Sequence, residues 1–225
     1  LSWVSKQGKG SVPISRTEFV SRSVAIQWVS SLDPDAENCD LANRLKAELS
    51  AGGSVAVICN TVSRAQQMYR YLKNAFGSDR RCPKPMFELL HASLLAESRL
   101  ERERRILHQF GKDAPSFRDG CQIVVATQIL EQSLDVDFDL LVSEFAPTDL
   151  LLQRIGRLHR HRRHRPERLA KPAVWVACPS LQEGKVCFDP GTSAVYDPYV
   201  LLRSWIALGQ RSELNIPDET EALIE

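Results

Sequence analysis

Six short, almost uninterrupted apolar runs limit what this chain can fold into: VAIQWV (24–29), VAVIC (55–59), MFELL (86–90), QIVVAT (122–127), DLLVSE (139–144) and AVWVAC (173–178). Runs of this kind, rich in β-branched residues and without apolar–polar alternation, suit strands buried on both faces. Stretches of helical period lie between them. Residues 40–49 carry Leu41, Leu45 and Leu49 on one side, and Gly52-Gly53 stops that helix where a C-terminal glycine is expected. After Cys59, Asn60 or Thr61 is placed to cap a helix with the face Val62, Ala65, Tyr69, Leu72 and Phe76, closed by Gly77. Residues 97–110 repeat the pattern with Leu100, Ile106, Leu107 and Phe110 before Gly111. Strand and helix in alternation predict an α/β fold, a three-layer domain with a mainly parallel, helix-covered sheet.

That pattern changes near Pro179, so the expected division is a domain over 1–178 and a helical appendage or linker over 179–225, with helices at 199–208 and 219–224. Residues 111–120 read as a surface loop. No internal repeat or low-complexity segment is present. The opening residues, LSWVSKQGKGSVPIS, lack the apolar stretch and cleavage site of a signal peptide, and their abrupt start suggests a piece of something longer.

Charged residues make up 25% and hydrophobic residues 43% of the chain, and no run approaches the roughly 18 apolar residues of a membrane span. The expectation is a cytoplasmic protein with no membrane partner. Cys39, Cys59, Cys82, Cys121, Cys178 and Cys187 are scattered without metal-ligand spacing, which predicts reduced thiols and no metal site. A net charge of +1 does not by itself announce a nucleic-acid partner, but its distribution is uneven: residues 154–168 contain seven arginines and three histidines.

Parallel sheets place ligands at the carboxyl ends of their strands, so the residues just after each run are where chemistry is expected. Asn60-Thr61 follows the second run, TQILEQSLDVD (127–137) the fourth, and a segment containing QRIGRLHR (153–160) the fifth. Spacings of three and four put Gln153, Arg157 and Arg160 along one face of a helix, with Gly156 allowing another backbone to approach. Guanidinium forks in such a row match phosphate oxygens; the alternative is a solvated basic face paired with acids. HRRHR (161–165) is either an extension of that basic track or a solvated turn.

QRIGRLHR resembles motif VI of superfamily 2 helicases, VVATQILEQSLDVD (124–137) resembles motif V, ICNTVSRAQ (58–66) motif IV, and LLHASL (89–94) motif IVa, in the family's order. Within that superfamily, TQ-x-x-EQSLD-x-D-FD and N-T-V-x-x-A are most similar to the CRISPR-associated helicase–nuclease of type I systems. VYDPYVLLRSW (195–205) and IPDETEALIE (216–225) resemble segments that follow motif VI there.

The resemblance implies a second RecA-like domain, the C-terminal motor half of an ATP-dependent single-strand DNA translocase acting in antiviral CRISPR interference. Arg157 and Arg160 would be arginine fingers on the ATP γ-phosphate, Gln153 would hold their segment, and Asp135 would lie near the ribose or the fingers. Asn60, Thr61, His91, Ser93, Thr127 and Gln128 would contact the nucleic-acid backbone, a kind of contact that positions a strand without reading bases. ATP and Mg²⁺ would be bound mainly by a first RecA-like domain. The implied partners are single-stranded DNA traversed 3′ to 5′, that first domain, a nuclease domain and an RNA-guided surveillance complex.

Three signatures are missing from the sequence: G-x-x-x-x-G-K-[ST], the paired acids of motif II, and any His-Asp dipeptide such as the family's nuclease carries. The chain alone is therefore expected to hydrolyse no ATP. The competing readings are an RNA helicase or other superfamily 2 motor half, and a catalytically idle docking module.

Overall fold

The computed structural model describes residues 2–5, 8–11, 21–36, 39–77, 82, 85–115, 120–132, 134–209 and 211–224. Residues 116–119 of the expected loop, Ser133 within the motif V segment, and parts of the N-terminal stretch lie outside them. In chain order the elements are β1 (Ser2–Ser5), β2 (Gly8–Ser11), β3 (Arg22–Val29), α1 (Leu41–Glu48), β4 (Gly53–Ile58), α2 (Val62–Gly77), β5 (Met86–Leu90), α3 (Ala96–Phe110), β6 (Cys121–Ala126), α4 (Ile129–Gln132), β7 (Leu140–Ser143), α5 (Thr148–Ile155), β8 (Ala173–Ala177), β9 (Ser180–Gln182), β10 (Lys185–Cys187), α6 (Pro190–Val195), α7 (Pro198–Leu208), β11 (Glu213–Ile216) and α8 (Thr220–Ile224).

All six apolar runs are strands of one seven-stranded sheet of order β11-β3-β8-β7-β4-β6-β5. The six pair in parallel, and β11 adds antiparallel to the β3 edge. Every residue of the interior strand β4 is buried. Side chains of a strand alternate between faces, so an uninterrupted run needs cover on both. Val55 and Val57 lie on one face with Ile123, Val125, Leu140 and Val142, packed against Leu41 and Leu45 of α1 and Ala65, Met68, Leu72 and Phe76 of α2. Ala56 and Ile58 join Val124, Ala126 and Leu141 on the other face against Ile106 and Phe110 of α3, Leu151 and Ile155 of α5, and Leu201 and Leu208 of α7. Truncating such fully buried leucines or phenylalanines to alanine costs about 2–5 kcal/mol each.

α3 departs from its expected face. Ile106 and Phe110 are buried, but Leu100 is 49% and Leu107 39% exposed. The appendage is packed into the same core: Leu201, Leu208, Leu214 and Leu223 belong to the α3/α5 layer, and Trp205 meets Trp28 edge-on at 5.1 Å. Its two expected helices are present as α7 and α8, while the hairpin β9–β10, helix α6 and strand β11 are additions that the sequence pattern did not reveal. The cysteine expectation is corrected as well. Cys82 and Cys121 form a disulfide with Cα atoms 5.9 Å apart, leaving Cys39, Cys59, Cys178 and Cys187 as thiols. Among the described residues no helix is long and apolar enough to cross a membrane.

Candidate nucleotide and nucleic-acid site

Strand register aligns the chemistry. Ile58 is level with Ala126 and Ser143, and Leu90 with Ala126, so the residues after β4, β5, β6 and β7 emerge along one edge. Backbone bonds carry the ladder one step further: the N–H of Cys59 donates to Ala126 O (2.9 Å), Thr127 N–H to Leu90 O (3.1 Å) and Glu144 N–H to Ile58 O (3.0 Å).

The segment with the motif VI residues is not one helix, which corrects the expected helical row. α5 ends at Ile155, and Arg22 explains the stop: its guanidinium donates to Ile155 O (3.1 Å), His159 O (3.0 Å) and Leu158 O, occupying carbonyls that a continuing helix would bond. The backbone then turns. Leu158 pairs with Phe138 as a parallel bridge, Phe138 N–H donates to Arg157 O (2.9 Å), and His159 takes a left-handed φ of 48°. Arg157 and Arg160 are therefore presented from a strapped turn and not from a helix face.

Arg157 is partly buried and, among the described residues, meets no carboxylate in a hydrogen bond. Its Nη2 donates to Glu131 O (2.6 Å) and its Nε to Leu130 O (3.4 Å), so it lies against α4 beyond the carboxyl end of β6. Burial, and then the charge of Arg160, lower its pKa against the opposing pull of Asp135. Arg160 pairs with Asp135 at 2.5 Å in the open, with side chains 41% and 50% exposed. Burial acts against the Asp135 carboxylate, but the hydrogen bond and charge of Arg160, with help from His161 and Arg157, hold its pKa below the usual range. Gln153 is exposed in the last turn of α5.

Three arginines not singled out from the sequence are consumed by the fold. Arg154 is fully buried and uses its donors on four separate segments: Glu131 Oε1 (2.7 Å), Ser143 Oγ (2.7 Å), Glu144 O (3.1 Å), Asn60 Oδ1 (3.1 Å) and Tyr196 Oη (3.2 Å). Burial pushes the Glu131 carboxyl above its usual range despite Arg154, and its Oε2 is buried with no hydrogen-bond partner among the described residues. Arg163 and Arg165, only 3% and 7% exposed, reach Asp137 at 2.9 Å, and Arg165 also reaches Asp139. Arg163 further anchors the 111–115 turn by donating to Ala114 O (2.7 Å) and Gly111 O. HRRHR is thus neither a DNA track nor a solvated turn as a whole, because two of its arginines face inward. A sequence signal existed: Asp135, Asp137 and Asp139 alternate with the buried Val136 and Phe138, and each of the three acids takes one or two arginines of the run after α5. His159, wedged beside Arg165, has its pKa lowered to about 4 by burial and that neighbouring charge.

Of the residues expected on the strand, Asn60 is 3% exposed and its carboxamide is fully engaged, donating to Phe145 O and Thr192 Oγ1 (both 2.8 Å) and accepting from Arg154. A phosphate contact by its side chain has no geometric support. Thr61 is part-exposed and its hydroxyl accepts from Arg64 N–H (3.2 Å), the helix-capping role. His91 is 3% exposed; Nε2 lies 3.4 Å from Gln66 Nε2, Nδ1 has no partner among the described residues, and burial followed by Arg102 lowers its pKa. Ser93 is exposed on the turn before α3, Thr127 is buried, and Gln128 is part-exposed with its amide donating to Asn60 O (2.8 Å) and Tyr196 Oη (3.2 Å). Arg64, another residue missed, sits at the same edge with Asp33, Glu144 (3.4 Å) and Asp189 (3.2 Å).

A parallel sheet whose carboxyl edge carries motifs IV and V in register, with the buried Arg154 of motif VI tying them together, defines a second RecA-like helicase domain. The model for the C-terminal region of the CRISPR-associated nuclease/helicase Cas3 matches residues 51–163. The chain belongs to the Cas3 family. It is 41% identical over 237 residues to the CRISPR-associated endonuclease/helicase Cas3 of Thermus thermophilus, covering 90% of this chain and 25% of that one. A solved CRISPR-associated protein matches the whole chain with a TM-score of 0.84 and 41% identity, using 24% of its own length. Cas3 of T. fusca with ATP matches 95% of this chain and 25% of its own at a TM-score of 0.79 and 31% identity. A chain of a pre-nicking CRISPR RNA-guided surveillance complex matches 96% of this chain and 25% of its own at 0.71 and 27%. This chain thus spans a quarter or less of the length of the relatives it matches.

Proposed function

We propose that this domain is the C-terminal motor half of an ATP-dependent single-strand DNA translocase in CRISPR interference, and that Arg157 and Arg160 act on ATP held mainly by a first RecA-like domain. The observation that carries the reading is the state of those two guanidinium groups: both extend from the strapped turn after α5, one bonded to backbone carbonyls of α4 and the other in an exposed ion pair. An exposed pair of this kind contributes about 0–1 kcal/mol, so Arg160 can exchange Asp135 for phosphate oxygens at little cost. No group of three or more His, Cys, Asp or Glu side chains suited to a metal occurs among the described residues. In this reading the chain's own contribution is cationic, through Arg157 and Arg160, with Mg²⁺ held mainly by the first domain.

ATP supplies the transferring phosphoryl group; this chain stabilises the charge that develops there and exchanges its grip on the strand as the two domains close. Thr61, Ser93 and Gln128 remain the strand-contact candidates, Gln128 through its main-chain N–H because both N–H groups of its amide are taken, and His91 and Thr127 support the turns from beneath. A surveillance complex as partner and a nuclease on the same polypeptide follow from the family, and the named neighbours support them. In the complete protein, Arg157→Ala or Arg160→Ala is expected to lower DNA-stimulated ATP hydrolysis by about 10³-fold or more while strand binding persists. Wild-type turnover by either variant defeats the reading, and stimulation by RNA but not DNA redirects it to an RNA motor.

A further inference from the structure

Three residues of the chain beyond β10 meet the motif edge in contacts that no helicase motif accounts for. Asp189, which caps α6 by accepting from Gly191 N–H, also reaches Arg64 at 3.2 Å. Thr192 accepts from the Asn60 carboxamide at 2.8 Å. Tyr196, the residue that ends α6, accepts from Arg154 Nη2 and Gln128 Nε2, both at 3.2 Å.

Donor and acceptor capacity makes the last contact the informative one. The Gln128 amide has two N–H groups; one goes to Asn60 O and the other to Tyr196 Oη, so its orientation is set from both sides. Arg154 has five N–H groups, and five contacts use them. One phenolic oxygen therefore joins a strand-contact residue of motif V to the helix that leads into the Arg157 turn.

We propose that Tyr196 is a positioning residue: its hydroxyl holds Gln128 and Arg154 together and so sets how tightly single-stranded DNA engages the motor. The proposal rests on the strand-contact reading of Gln128 given above. It assigns a role in DNA engagement to the segment after motif VI, through an oxygen whose removal leaves the ring in place.

The test uses the complete protein carrying Tyr196→Phe, with ATP hydrolysis measured against single-stranded DNA concentration and separately against ATP, and thermal melting alongside. Loss of the oxygen that accepts from both Arg154 and Gln128 predicts a rise of about 3- to 10-fold in the DNA concentration giving half-maximal stimulation. The DNA-saturated rate and the KM for ATP are expected to stay within about twofold, because those quantities report the Arg157 turn and not the grip. Gln128→Leu is expected to give a shift of similar size, and the double variant less than the product of the two, since both remove one linkage. An unchanged half-stimulating DNA concentration overturns the proposal. So does a lower melting temperature with a rate reduced at all DNA concentrations, which marks a purely structural tyrosine. Inactive Arg157→Ala beside an unaltered Tyr196→Phe discards this inference alone, whereas active Arg157→Ala discards the motor reading.

Discussion

Two sets of arginines, interleaved within residues 154–165, are put to opposite uses. Arg154, Arg163 and Arg165 are at most 7% exposed and locked to Glu131, Asp137 and Asp139, whereas Arg157 and Arg160 stay part-exposed with carbonyls or a solvent-facing carboxylate as partners. The residue type is the same, so the environment makes the difference. A buried guanidinium cannot leave its acid without stranding two charges, which costs several kcal/mol; an exposed one leaves almost without penalty. The first set is architecture, and the second is available to a ligand.

The largest effect that sharpens this contrast is kinetic. Arg157→Ala and Arg160→Ala should each remove about 10³- to 10⁵-fold from DNA-stimulated ATP turnover, while circular dichroism and melting of the chain stay near wild type. Arg154→Ala should do the reverse first. It leaves Glu131 buried and unpaired, so a loss of about 3–5 kcal/mol is expected, read as a fall of roughly 10 °C or more in melting temperature. If Arg154→Ala melted normally and Arg157→Ala did not, the two sets would have been assigned the wrong way round.

A subtler consequence of the buried set is pH dependence. His159 lies beside Arg165, and burial holds its pKa at about 4, below the ordinary 6.5. Between those two values the unfolded chain binds a proton that the folded chain excludes, so stability falls as pH drops from 6.5 toward 4, by roughly 3 kcal/mol over the full range. His159→Asn keeps a side chain that tolerates the positive φ of 48° and removes the titration. Urea midpoints at pH 7 and pH 5 should converge in this variant relative to wild type; equal pH slopes in both would show that His159 is solvated and Arg165 less enclosed than its contacts indicate.

The sheet was legible because strands covered on both faces write uninterrupted apolar runs, and all six were recovered nearly residue for residue. β11 was not, since Glu213, Leu214, Asn215 and Ile216 alternate as an edge strand does and only four residues carry the signal. The spacing of Gln153, Arg157 and Arg160 misled: a three–four pattern holds only while the helix lasts, and the feature ending it, Arg22, lies more than 130 residues earlier. Partners were harder still. An arginine that points to an acid and one that points to water are written identically, so Arg154 and Arg163 were indistinguishable from Arg157 until the chain was folded. The Asp135–Asp139 alternation was the clue that could have separated them.

Asp135 offers the finest test of the boundary between the two sets. It belongs to the same acid ladder as Asp137 and Asp139, yet its side chain is 50% exposed and its partner Arg160 41% exposed. The carboxylate's depressed pKa means that the pair's stabilisation is present above about pH 4 and disappears as pH falls through the lowered value. Exposure keeps that stabilisation below about 1 kcal/mol, so Asp135→Asn should shift melting by no more than about 2–4 °C at pH 7. Turnover should respond just as weakly, by less than about fivefold, because Arg160 needs only to be released from the pair and not held in it. A loss approaching that of Arg157→Ala would mean that Asp135 acts on the nucleotide itself, and the ladder would then divide at Asp137 with Asp135 on the ligand's side.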